Sequence, residues 1–363
     1  DWRRHNIFQH DEQASLYPYE QRFAAPDDVS QVHVRRGFIG LGQIEDYAAR
    51  IVFRHEHTLS APKADRLNLL RATRAHFGQI FMLYSDHERR VDSLLWGTPG
   101  LPLIDITDEY GVQHVVRQVS DRSVITNVQS LMSDRQLIIA DGHHRYETAL
   151  NYRNERRKEC GDRSDPNQPY ERVMMTFVNL NGEGIMILPT HRVVSGLERF
   201  DVAKTVERLR RYFMVNPLRD RVTGPSASQL LARADHQSTP MVAVTPRGDF
   251  ILQSRPEADS APALAGVSAR QRQLDVVKLH QIVLHDVLGI SPEDIRSQKH
   301  VRYYRDADEA ISQVANGSDI AFLMNPATID QVREIALAGE VMPQKSTDFY
   351  PKLLSGLTIY ALE

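Results

Sequence analysis

The run Ile139-Ala140-Asp141-Gly142-His143-His144-Arg145 brings a carboxylate, a glycine, two imidazoles and a guanidinium into one short segment. A strand that ends in Asp141-Gly142 and turns directly into a helix places His143, His144 and Arg145 at the helix N-terminus, where backbone N–H groups and the dipole attract anions. Phosphate suits such a place. Gly142 lets the backbone approach closely, Arg145 can fork onto two oxygens, and Asp141 can hold a magnesium ion that bridges phosphates. The competing reading makes Asp141 a helix cap and leaves the histidines solvated. So dense a cluster of functional side chains favours chemistry over that alternative.

A second concentration is Arg54-His55-Glu56-His57-Thr58. His55 and His57 are two positions apart rather than four, so this is not a zinc-protease helix motif. A carboxylate between two imidazoles can act as a general base on a hydroxyl or join Asp141 as a metal ligand, and a surface loop with a chance pair of histidines is the plainer reading. Near the end of the sequence, Lys345, Ser346, Thr347 and Lys352 offer ammonium and hydroxyl groups that can clamp an anionic donor. Either lysine taken alone reads as a surface residue. Thr190-His191-Arg192 is a weaker anion-contact candidate, and the basic run 153–158 reads as the solvated face of a helix.

The elements that must hold these residues follow from periodicity. Gly37 to Gly42 reads as a strand, and Ser60-Ala61-Pro62 starts a helix over about 63–76. Gly78 stops that helix before the buried strand Ile80–Tyr84. Two strands, 103–107 and 112–119, form a hairpin about the turn 108–111. A helix over 124–132, the strand 137–140 and a helix over 144–158 follow. The spacing predicts another hairpin, 173–180 with 184–188, about Asn181-Gly182. Helices near 202–212 and 227–234 and strands at 241–245 and 250–253 come next, and the loose stretch 256–262 is the candidate linker. A helix over 273–288, a strand at 301–304 and a helix–strand–helix run over 307–338 complete the pattern, and 342–352 is a polar, proline-punctuated loop.

Composition narrows the class. The 363 residues suffice for two or three domains that bury their own cores. A single cysteine, Cys160, excludes an intrachain disulfide and a cysteine-rich zinc site and points to a reducing, cytoplasmic setting. No stretch approaches the roughly 20 apolar residues of a membrane helix, so no membrane partner is expected. With 44 basic and 47 acidic residues and a net charge of −3, no basic face for nucleic acid is expected. The sequence opens on Asp1-Trp2, and a preceding segment is expected to have been removed or not included.

His55-Glu56-His57-Thr58, Lys63-Ala64-Asp65-Arg66-Leu67, the run 139–149, Leu188-Pro189-Thr190-His191-Arg192 and the run 342–352 resemble the signature blocks of the DUF1015 family, along nearly the whole chain. Members of that family carry a further N-terminal segment with a Pro-Pro-Tyr-Asp stretch. The stretch from Gly37 to Lys158 is also similar to the ParB/sulfiredoxin fold, in which a Gly-x-x-Arg turn opens a helix. Sulfiredoxins place a reactive cysteine after that glycine, where His143 stands here, and the ParB branch binds DNA, which the charge balance opposes. Free-serine kinases use an Asp-Gly-His-His-Arg turn for phosphates with an upstream glutamate as base. Asp141 to Arg145 match that turn residue by residue, and Glu56 matches the glutamate by position and loop context.

The resemblance implies an α/β (α+β) chain: a ParB/sulfiredoxin-like catalytic core over 1–195, a small α/β subdomain over 196–262 and a C-terminal α/β domain over 263–363. It implies a phosphotransferase that phosphorylates a small hydroxyl compound, free L-serine above others, from ATP, ADP or pyrophosphate with Mg2+. Glu56 is then the base, Asp141 the magnesium ligand, and His143, His144 and Arg145 the groups that neutralise the transferred phosphoryl. Gly142, His55, His57, Lys345, Ser346, Thr347, Lys352, His191 and Arg192 surround the donor. Two alternatives are a non-catalytic nucleotide-responsive binding protein and a metal-dependent hydrolase built on His55, His57, Asp141 and His143.

Overall fold

Ile80–Tyr84 is buried at every position, and Arg172–Asn179 is buried at every position after its first. Strands with no polar face require cover on both sides of their sheet: Met175 packs with Tyr146 of a long helix, and Met174 packs with Leu353, Leu357 and Tyr360 near the end of the chain. The computed structural model describes residues 4–5, 7–26, 28–56, 61–97, 100–161 and 165–362, with the side chains of 61–64 left aside. The chain divides into two units, each discontinuous in sequence. The first comprises 1–54, 58–186 and 351–363, and the second 55–57 and 187–350. The expected segment 196–262 falls in the second unit, while the expected segment 263–363 is divided, with 263–350 in the second unit and 351–363 in the first.

The first unit is built on an eight-stranded mixed sheet, in the order Val52–Phe53, Leu137–Asp141, Ile80–Tyr84, Arg172–Asn179, Asp28–Gln43, Tyr17–Ala25, Gln113–Val116, Ile104–Thr107. Its core joins Phe38, Ile80, Met82, Ile139 and Met175 from the strands to Tyr146 and Ala149 of the helix His143–Cys160. Each such side chain, fully buried, contributes roughly 1.5–3 kcal/mol. The helix Ala61–Thr73 lies against the same long helix, and Leu70 packs with Tyr152 and Tyr170. Asp121 starts the helix Arg122–Met132 by accepting the Ser123 and Val124 N–H groups at 2.8 and 3.1 Å.

The second unit carries a six-stranded sheet, in the order Phe213–Pro217, Gly248–Ser254, Met241–Thr245, Ile320–Met324, His191–Val194, Val301–Tyr304. Every neighbouring pair in it is antiparallel. Side-chain caps at Asp201, Thr223, Asp306 and Thr328 open the helices that flank it. The helix Asp275–Lys278 widens into a π-helical stretch over Leu279–Val287. Among the described residues, no helix is long and apolar enough to cross a membrane.

The chain is α/β, as the sequence implies. The strands at 80–84, 137–141 and 301–304, the 104–107/113–116 hairpin and the long helix over 143–160 match the sequence reading closely. Two expectations fail. Asn181-Gly182 does turn, with Gly182 N–H on Asn179 O at 3.0 Å, but no hairpin follows. Both edges of Arg172–Asn179 are already taken, by Asp28–Gln43 and by Ile80–Tyr84. The stretch 256–262 is no linker, because it folds into short 3-10 turns whose Ala258 and Leu264 are fully buried in the second unit.

Candidate functional site

The candidate residues fall into two groups, one in each unit. In the first unit, the strand Leu137–Asp141 lies between Val52–Phe53, parallel to it, and Ile80–Tyr84, antiparallel with a bulge beside Phe81. The strand delivers Asp141 to the point where the chain turns into the helix His143–Cys160. Gly142 makes the turn at φ +96°, in the left-handed region that L side chains avoid. A Cβ there would sit 3.0 Å from Nε and from Nη2 of Arg145. Glycine is thus required twice, for the backbone and for the close approach of the guanidinium.

Arg145 folds back over the turn and donates from Nη2 to Asp141 Oδ2 at 2.8 Å. The Lys352 ammonium stands 3.7 Å from the other carboxylate oxygen, Oδ1. Burial pushes the Asp141 carboxyl up, but Lys352, Arg145 and the Gly142 N–H outweigh it and hold the group below the usual carboxylate range. Burial, with Arg66 adding to it and Asp141 opposing, lowers Arg145, and the guanidinium keeps its charge. His143 and His144 are partly buried in the first helical turn, whose geometry directs backbone N–H groups toward the same end. The result is an anion-ready place in which one carboxylate holds two cations.

In the second unit, the sequence clusters around Glu56 and Lys345 come together. Met342 N–H donates to His55 O at 2.7 Å, and a parallel bridge pairs Glu56 with Met342. Lys345 N–H donates to Glu56 Oε1 at 2.9 Å, with Lys345 itself in the left-handed region at φ +59°. His55 Nε2 meets the Thr347 hydroxyl at 2.7 Å, and the His55 ring stands edge-on to Phe349. The Ser346 hydroxyl donates to Pro343 O, which fixes the loop rather than presenting the group to a ligand. His57 lies outside the described residues.

Arg192 lies beneath this loop, 2% exposed. It donates from Nη2 to Lys345 O at 2.9 Å and from Nη1 to Thr190 O, and its guanidinium lies over the Tyr303 ring at 5.5 Å. Glu56 and Asp275 are the carboxylates whose charge acts on it. His191 is held within the sheet. Burial, with Arg192 beside it, pushes its imidazole down to about 4, and Nδ1 accepts the Met324 N–H at 3.1 Å. A neutral acceptor inside the sheet does structural work.

Sequence reasoning missed Asp275, whose carboxyl burial pushes up to about 6 despite Arg192, and Tyr303, on which Arg192 stacks. Neither lies in a motif, so only the fold identifies them. It read Asp141 as a metal ligand or a helix cap, and the structure shows it holding Arg145 and Lys352. Among the described residues no group of three or more His, Cys, Asp or Glu side chains could hold a metal ion. A magnesium ion fits Asp141 nonetheless, because such ions use one or two carboxylates and complete their shell with substrate phosphates and water.

No curated protein matches the chain. Among solved structures, it is similar to a free serine kinase variant in complex with ADP, at 12% identity and a TM-score of 0.44, covering 86% of this chain and 87% of that one. It is similar to a conserved hypothetical protein from Pyrococcus furiosus, at 12% identity and a TM-score of 0.42, covering 87% and 93%. It is also similar to SbnI with a C-terminal truncation from Staphylococcus aureus, at 10% identity and a TM-score of 0.39, covering 87% and 85%. The family described as "Protein of unknown function (DUF1015)" matches residues 1–277, well over half of the sequence. The chain therefore belongs to the DUF1015 family.

Proposed function

We propose that the chain is a small-molecule phosphotransferase whose turn Asp141–Arg145, with Lys352, takes the phosphates of the donor. The observation that carries this reading is the pairing of Asp141 with Arg145 and Lys352 at a glycine turn that opens a helix. Two cations that share one half-exposed carboxylate can transfer to phosphate oxygens, where charge-assisted bonds are stronger. Asp141 would then hold magnesium, which would supply charge neutralisation at the donor phosphates.

Glu56 acts as the base. The acceptor hydroxyl oxygen forms a bond to the terminal phosphorus, the bridging P–O bond of the donor breaks, and the hydroxyl proton passes to the Glu56 carboxylate. Arg145, with His143 and His144, neutralises the charge on the transferred group. ATP, ADP or pyrophosphate serves as donor, and free L-serine is the acceptor that the resemblance to free-serine kinases implies. The single cysteine suits the cytoplasm.

One observation favours a rival, a nucleotide-responsive binding protein without turnover. Glu56 already accepts the Lys345 N–H, which is an anchoring role. Glu56→Gln separates the two, because the amide keeps an oxygen for that N–H but cannot take a proton. A catalyst loses about 10²–10⁴-fold in kcat with donor affinity unchanged. Wild type without turnover toward any hydroxyl acceptor, and with unaltered donor binding in the variant, supports the rival.

A further inference from the structure

Lys352 reaches Asp141 from the segment 351–354, which has neither strand nor helix to fix it. Buried side chains of two neighbouring strands bind its backbone instead. Arg35 Nη2 donates to Pro351 O at 2.5 Å, and Gln21 Nε2 donates to Lys352 O at 3.0 Å. Leu354 N–H donates to the Tyr19 hydroxyl at 3.4 Å. The clamp is internally ordered. Arg35 Nε donates to Gln21 Oε1 at 3.1 Å, which turns the amide so that its NH2 faces the Lys352 carbonyl.

Tyr19 is set by a chain of its own. Its hydroxyl meets His114 Nδ1 at 2.6 Å, and His114 Nε2 meets Asp108 Oδ2 at 3.0 Å. Asp108 Oδ1 accepts the Tyr110 and Val112 N–H groups, each at 2.9 Å. An ionised aspartate only accepts, so the imidazole proton belongs on Nε2 and Nδ1 takes the Tyr19 O–H. The phenolic oxygen is left to receive Leu354 N–H. Tyr19, Gln21, Arg35 and His114 are each no more than 2% exposed. Burial pushes the Arg35 guanidinium down to about 10, so it stays charged at neutral pH, and it lies over the Phe81 ring at 4.8 Å. Phe81 is the cross-strand partner of Asp141, so one side of the clamp rests on the residue that faces the turn. A buried cation is expensive unless its donors are used, and here they are used on the segment that carries Lys352.

We propose that Tyr19, Gln21 and Arg35 are positioning residues that fix the 351–354 segment so that the Lys352 ammonium meets Asp141 and the phosphate held at that turn. The phosphate clause rests on the function proposed above; the rest does not. The test follows amide hydrogen exchange over 352–354 in the full chain for wild type and Lys352→Met, Tyr19→Phe, Gln21→Met and Gln21→Glu. Gln21→Glu keeps an acceptor for Arg35 and loses the donor to Lys352 O, so it remains informative if Tyr19→Phe does not fold.

The Tyr19 and Gln21 variants are expected to speed exchange at Leu354 by about tenfold while exchange in the sheet strands stays as in wild type, and Lys352→Met to leave it unchanged. Unchanged exchange at Leu354 in Tyr19→Phe, Gln21→Met and Gln21→Glu overturns the clamp. Calorimetric binding of ADP with magnesium then separates the two claims. About tenfold weaker binding in Lys352→Met, with an intermediate loss in Gln21→Glu, supports both. Unchanged ADP binding in Lys352→Met removes the phosphate reading and leaves the clamp to be judged by the exchange alone.

Discussion

Asp141 shows how a side chain of one type can stand for two kinds of chemistry. Its place at a strand end beside glycine and arginine is legible in the sequence, and so is its affinity for cations. Which cations it holds is not legible, because Lys352 follows it by more than two hundred residues and only the fold brings them together. The ion pairs carry a pH signature with a definite sign. Asp141 is held below its ordinary range, so the pairs stabilise fully above about pH 4 and lose that contribution as pH falls through the lowered folded value. With the side chain 38% exposed, the effect belongs to the scale of about 0–1 kcal/mol. Unfolding of wild type and Asp141→Asn in urea, from pH 3 to 7, is expected to differ by a constant amount above about pH 5 and to converge below pH 4. A gap that widens toward low pH contradicts this assignment.

The turn between Leu137–Asp141 and His143–Cys160 makes its own demand on sequence. Placing a Cβ at Gly142 imposes a left-handed conformation worth about 1–2 kcal/mol and pushes on the Arg145 guanidinium. Gly142→Ala should lower stability by about that amount in thermal unfolding, keep its far-UV circular dichroism and bind phosphate compounds more weakly. Wild-type stability in the variant would show that the turn relaxes without consequence. This strand–turn–helix was readable because its signals are local: a short apolar run, Asp-Gly, then a helix. The Asn181-Gly182 hairpin failed because partner choice is not local, and a strand with both edges occupied cannot accept its sequence neighbour. The paired strands Tyr17–Ala25 and Asp28–Gln43 were missed over most of their length, since Val29 and Val32 are 80% and 66% exposed and break the inside–outside alternation. The clamp on Lys352 begins on those strands, so it was invisible for the same reason.

Across the whole molecule, the chain leaves the first unit at 55–57 and 187–350 and returns to it at 351–363. Sequence periodicity finds elements but not such returns, and this is why the C-terminal loop read as one cluster when Lys345 to Thr347 belong with Glu56 and Lys352 with Asp141. The sequence motifs were sound as chemistry and incomplete as geography. The most direct test of the central claim is isothermal titration of ADP and of pyrophosphate, each with magnesium, into wild type, Arg145→Met and Lys352→Met. Binding to wild type that weakens by about tenfold or more in each variant, with both still folded, is the expected result. Equal binding in all three proteins, or none to wild type by either phosphate compound, contradicts it.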